Sequence, residues 1–269
     1  MIHLPPLIVE RRHAVGTVRH QLRPAADVVV HAVTSVKISP RVEQPLWELD
    51  TGERIVVTSR SGVAIPEGAD GVLRERDGAF SWSSHRLIEQ FVQEAGRIGW
   101  HEQARRTAAT WNGRLAFRAE VRQPDGSVDP GEAGLRPPQL GALHAIGAHW
   151  SLDLRPATVV MPTGTGKTET MLAALAAYGR NPILVVVPWD LLRKQTANKF
   201  LAFGLLRALG VLPHDVPNPI VGIMTKRPTS VVDLDLFNEC NVIVATIHTV
   251  GVGIERVGRD SCKNGPKVS

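Results

Sequence analysis

The most sharply specified chemistry in the chain lies in eight consecutive residues, Met161-Pro162-Thr163-Gly164-Thr165-Gly166-Lys167-Thr168. Glycines in such a run let the backbone curl tightly, so that several N–H groups point inward at one anion, and a following helix adds the positive field of its N-terminus. Lys167 is long enough to reach the β- and γ-phosphates of a nucleoside triphosphate, and the Thr168 hydroxyl can ligate the accompanying Mg2+. Thr163, Gly164, Thr165 and Gly166 complete the candidate cradle. The plainer alternative is a glycine-rich turn ahead of a helix; Gly-Lys-Thr between a strand and a helix favours the phosphate reading.

Such a loop works only if other elements hold it. Ala157–Met161 reads as a short apolar strand leading in, and Lys167–Tyr178 as an Ala- and Leu-rich helix closed by Gly179. Ile183–Val187 is a continuous apolar strand stopped by Pro188, after which Asp190 is expected to cap a helix running to about Leu209. Ile220–Met224 and Val242–Thr246 are two further apolar strands. Continuous strands alternating with helices predict a parallel sheet covered on both faces.

The variant Pro-Thr-Gly-Thr-Gly-Lys-Thr has Met161 where the general pattern begins with glycine, and it resembles the first ATP-binding motif of superfamily 2 helicases and translocases. Three more segments fall in the order of that family. Leu135-Arg136-Pro137-Pro138-Gln139 is similar to the segment of the type III restriction enzyme and UvrB-like branch in which a glutamine reads the adenine edge; an amide can do so through paired donor and acceptor. Val185 to Gln195 resembles the second conserved segment, through Pro188, Leu192 and Gln195. In relatives this region touches the backbone of a nucleic-acid strand, which implies contacts at Pro188, Arg193, Lys194 and Gln195. Asp190 stands where RNA-binding members often carry arginine. Val242–Thr249 is similar to the strand and loop ahead of the helicase Walker B, with Thr246 as the matching residue and, by the resemblance, a further nucleic-acid contact; His248 reads as a loop histidine. The resemblance covers about Leu135 to Gly251. It implies ATP and Mg2+ as cofactors and a nucleic-acid partner, with DNA favoured over RNA by Leu135–Gln139.

Hydrolysis also asks for an acidic Walker B pair to hold Mg2+ and orient water, and for an arginine from a second lobe. No two acidic residues are adjacent anywhere in the chain. The nearest imitation, Val231-Val232-Asp233-Leu234-Asp235, precedes the Thr246 segment and reads as a capped turn. The polar stretch Asp260–Ser269 carries no strand signal. The expectation is therefore the front half of a DNA helicase or translocase with no complete catalytic set, unable to hydrolyse ATP or unwind alone, and possessing a partner polypeptide if the second lobe is supplied from elsewhere. The competing expectation is a non-catalytic interaction module, or a truncated product, whose loop is vestigial.

Residues 1 to about 80 read as strand-rich, with candidate strands at Asp27–Ile38, Arg54–Ser59 and Gly71–Trp82 separated by turn signals such as Asp77-Gly78. From Ser84, an expected N-cap, the period turns helical through Leu87, Phe91, Ala95 and Ile98. A second helical stretch, about His101–Arg114, carries Arg105, Arg106 and Arg114 on what reads as a solvated face. The turn-rich Gln123–Gly131 suggests a boundary between an α+β domain (1–128) and a partial helicase ATP-binding domain (129–269). The fold class expected is α/β: an incomplete parallel RecA-like sheet preceded by a smaller strand-rich α+β domain.

Composition bounds these readings. Apolar residues make up 43% and charged residues 21% of 269, as in an ordinary globular chain. Two cysteines, Cys240 and Cys262, rule out a disulfide scaffold or a four-thiolate zinc site. No apolar run approaches the about 18 residues of a membrane span, and Ile2–Val9 does not read as a signal peptide, so a cytoplasmic location is expected. Acidic and basic residues balance over residues 1–134, and the net +5 falls on the second half, where phosphate would be met.

Overall fold

The computed structural model describes residues 1–153 and 155–251; Cys262 and the Asp260–Ser269 stretch lie outside them. In chain order the strands are β1 (Ile2–Leu4), β2 (Leu7–His13), β3 (Gly16–Arg23), β4 (Ala26–Val28), β5 (Val30–Ser39), β6 (Val42–Leu49), β7 (Arg54–Thr58), β8 (Gly71–Arg76) and β9 (Ala79–His85). Helices α1 (Arg86–Ile98), α2 (Trp100–Ala109), α3 (Pro137–Leu152) and α4 (Lys167–Tyr178) follow, then β10 (Ile183–Val187), α5 (Asp190–Leu201), β11 (Ile220–Met224), α6 (Asp235–Asn238) and β12 (Val242–Thr246). The fold is α/β with mixed sheets.

Two compact units result, one of residues 1–9 and 21–99, the other of 10–20 and 100–269. The division thus falls at Gly99/Trp100 and not at 128/129, and a hairpin from the chain's beginning belongs with its end. Packing gives the reason. Trp111 is fully buried beside Leu143, Leu172, Phe200 and Phe203 in the second core, with its Nε1 donating to the Pro217 carbonyl at 3.0 Å. The Arg105 and Arg106 guanidiniums are paired with Glu102, and Arg114 with Asp215.

The first unit holds a five-stranded sheet in the order β5-β6-β7-β8-β9, antiparallel except for β7 beside β8. The expected strand Gly71–Trp82 is a hairpin, β8 and β9, turning at Asp77 and Gly78 (φ 52° and 77°), values that Asp-Gly adopts readily. The α1 N-cap is His85 and not Ser84: its Nδ1 accepts the Leu87 N–H at 3.1 Å. Its other ring nitrogen lies 3.3 Å from Glu53. The His85 hydrogen bond, and then Arg23, hold the Glu53 carboxyl down to about 2.

The second unit centres on a sheet in the order β10-β12-β11-β3-β2. Strands β10, β12 and β11 are parallel, as the apolar runs predicted. β3 then joins β11 antiparallel, so the sheet is mixed where an all-parallel one was expected. Close approach requires glycine here, since a Cβ on Gly16 would lie 2.1 Å from the Ile223 carbonyl oxygen. Asn241 ties the sheet together: its side chain accepts the Ile220 N–H and donates to Ala104 O and Asn181 Oδ1. One expected strand is not formed. Residues 157–161 take no ladder position, and Val160 is 88% exposed.

Candidate nucleotide and nucleic-acid site

The glycine loop forms where its residues demand. Gly164 and Gly166 adopt φ of +84° and +87°, a region that costs other residues roughly 1–2 kcal/mol. A Cβ on Gly166 would also sit 2.0 Å from Gln139 Nε2, whereas one on Gly164 would meet nothing within 4 Å. Gly166 is the N-cap of α4 and offers no side-chain cap, so the first-turn N–H groups are left for another acceptor. Pro162, Thr163, Gly164 and Lys167 are exposed, and Thr165 and Thr168 half-buried. Lys167 bends back over the loop, its Nζ donating to the Pro162 carbonyl at 2.9 Å, and the Thr165 hydroxyl donates to the same oxygen at 2.7 Å. These loop residues would hold a triphosphate, and Lys167 would exchange a carbonyl for phosphate oxygens. Glu169, in the first turn of α4, is buried against Lys199 at 2.8 Å, which offsets its charge beside the loop.

Gln139 stands differently from the expectation. It is 3% exposed; its Oε1 accepts the Arg136 N–H at 2.8 Å and its Nε2 donates to the Gly166 carbonyl at 3.2 Å. Both faces of the amide are engaged, so Gln139 splints α3 to the loop and presents no open edge to a base. Arg136, which the sequence did not single out, donates from Nη1 to the Gly164 carbonyl at 2.8 Å. Its place before two prolines at the start of α3 was the available signal.

The candidate nucleic-acid residues divide. Pro188, Lys194 and Gln195 are exposed. Arg193 is 6% exposed, with Nη1 donating to the Met224 carbonyl at 3.1 Å and lying 3.2 Å from Asp190. Thr246 is buried. Its N–H donates to the Thr249 hydroxyl, which donates in turn to the Thr246 carbonyl, so it closes the turn after β12 and does not face solvent. Asp190 is the first residue of α5, whose N-cap is Trp189, and the helix ends at Leu201, short of Leu209. His248 is exposed, its carbonyl accepting from Arg227. The Asp233 carboxylate accepts N–H groups of Thr229 and Ser230, as a capped turn does. Among the described residues no cluster of three or more His, Cys, Asp or Glu is placed to hold a metal, and no helix is long and apolar enough to cross a membrane.

The second unit thus combines parallel strands, a helix between them and a Gly-Lys-Thr loop on a helix N-terminus. Residues 132–263 match the family model of the type III restriction enzyme res subunit. That stretch, just under half of the chain, is thus similar to a domain of superfamily 2 helicase type. No match to the chain is found among curated proteins.

Proposed function

We propose that the second unit is a RecA-like module that binds Mg2+-ATP through Thr163–Thr168 and a nucleic-acid strand, DNA in preference to RNA, along α5. The observation that carries this reading is the loop itself: two left-handed glycines, an uncapped helix N-terminus and an exposed lysine held only by a loop carbonyl. Lys167 would neutralise β- and γ-phosphate charge, the α4 amides would bind phosphate oxygens, and Thr168 would ligate Mg2+. Pro188, Lys194 and Gln195 line the exposed start of α5, and Trp189, 68% exposed, offers a face on which a base can stack.

Motor action needs two further things, a carboxylate pair on the metal and a second lobe that closes on nucleotide. No adjacent acidic residues are present in the sequence, so this chain would bind nucleotide and strand in a cytoplasmic setting, with hydrolysis and translocation dependent on a second polypeptide or segment. The test is titration of a fluorescent ATP analogue with and without Mg2+. Micromolar-range binding that disappears in Lys167→Ala supports the reading. Affinity unchanged by that substitution, or none in the wild type even with a second lobe added, would overturn it in favour of an interaction module with a vestigial loop.

A further inference from the structure

A second polar hollow lies away from the glycine loop, on the sheet face that α5 covers. Thr17 and Arg19 are two apart on β3 and so share a face; they pair with Ile223 and Val221 of β11, and Thr225 continues the same row. From above, α5 brings Arg193, Lys194 and Asn198, and together these groups line a cavity of about 310 Å³. Nearly all of its polar lining donates hydrogen bonds. Arg193 is immobilised by its bond to the Met224 carbonyl, and its Nε is buried with no partner. Two carboxylates accompany the three cations: Glu10 at 3.4 Å from Arg19 Nε, and Asp190, 74% exposed, beside Arg193. Neither completes the buried guanidinium. A desolvated donor without an acceptor is costly, and guanidinium and hydroxyl donors converging on one hollow match the oxygens of a phosphate.

We infer that this groove takes a phosphodiester group of a nucleic-acid strand, with Arg19 and Lys194 as its charged contacts. The inference rests on the nucleic-acid reading above and extends it: a residue near the start of the chain, carried into the sheet by β3, is part of the strand-binding surface. The exposed Lys194 and the half-buried Arg19 give a polyanion access, while Arg193 supplies a fixed positive wall.

The experiment is fluorescence anisotropy of a labelled oligonucleotide, single-stranded and duplex, over a range of salt, with the full chain. Arg19→Gln and Lys194→Gln should each weaken binding about fivefold, alike for all sequences, and lower the slope of log K against log salt by about 0.7 to 0.9. Arg12→Gln, an exposed β2 cation outside the groove, should change neither. If Arg12→Gln weakens binding as much as Arg19→Gln, diffuse charge is responsible and the groove is overturned. If the wild type binds oligonucleotide and Arg19→Gln binds equally well, the groove falls and the nucleic-acid reading stands. If the wild type binds no oligonucleotide, both fall. Inorganic phosphate retained by the wild type and lost in Arg19→Gln, without any effect on oligonucleotide, would make this a free-phosphate site and overturn the polymer assignment.

Discussion

Acid should loosen the second unit through one histidine. His20 sits on β3 opposite Ile220, 5% exposed, with its ring Nδ1 3.3 Å from the Pro219 carbonyl. Burial lowers its pKa from 6.5 to about 4, the carbonyl contact opposing the shift. A depressed histidine pKa means that the unfolded chain takes up a proton before the folded one does, so its contribution to stability is present above pH 6.5 and lost as pH falls toward 4. The full difference is worth about 3 kcal/mol, and about 2 kcal/mol of it is lost between pH 7 and pH 5. With a urea m-value of about 2 kcal/mol/M, the midpoint should fall by about 1 M over that interval. His20→Gln keeps a donor for Pro219 and removes the titration. The comparison is urea unfolding of both proteins at pH 7, 6 and 5 by tryptophan fluorescence, with hydrogen exchange of the β3 and β11 amides as the local readout. The wild-type midpoint should move more than that of the variant by about 1 M. Parallel shifts in the two proteins would refute the argument and place the acid sensitivity elsewhere.

Further outcomes follow from the same geometry. Gly166→Ala meets both a left-handed φ and the Gln139 amide, so it should weaken nucleotide affinity at least tenfold and lower the thermal midpoint by several degrees, checked by titration and calorimetry. Asn241→Ala strands two buried partners and a half-buried one and should cost about 3 kcal/mol by chemical denaturation. The Cys240 thiol is fully enclosed, and burial pushes its pKa far above the usual value; iodoacetamide should modify the Cys240 peptide only after unfolding. Glu53, held at about 2, gives the first unit stability that is lost as pH falls from 4.5 toward 2, and Glu53→Gln should flatten that acid limb in circular dichroism.

Much of the second unit was legible because its signals are local. The β10, β11 and β12 strands are uninterrupted apolar runs, α4 begins at Lys167 and ends at Gly179, and the glycine loop announces its own conformation. What escaped depends on partners distant in sequence. β3 reads as Gly-Thr-Val-Arg-His-Gln-Leu-Arg, too polar for a central strand, and becomes one only because β11 offers an edge. Residues 157–161 have the converse fate: β-branched in composition, they join no ladder. Gln139 was recognisable as special, but its amide is spent on Arg136 and Gly166, a matter of tertiary contact. Likewise Thr246 and Arg193 carry suggestive side chains that packing turns inward. The polar turn at Gln123–Gly131 suggests a boundary, whereas Ala108 of α2 and Trp111 just beyond it pack into the later core.

The pairing of Gly16–His20 with Ile220–Met224 sets a schedule for the nascent chain. During vectorial synthesis β3 emerges beside its hairpin neighbour β2 and must wait, its other ladder edge bare, until β11 follows far later in the chain. Long-range closure of this kind slows folding, and a waiting edge invites wrong partners. A ribosome-bound chain of this protein should therefore lean on a holdase until β11 emerges, and excising its first twenty residues should damage the nucleotide-binding half more than the sheet of the first unit.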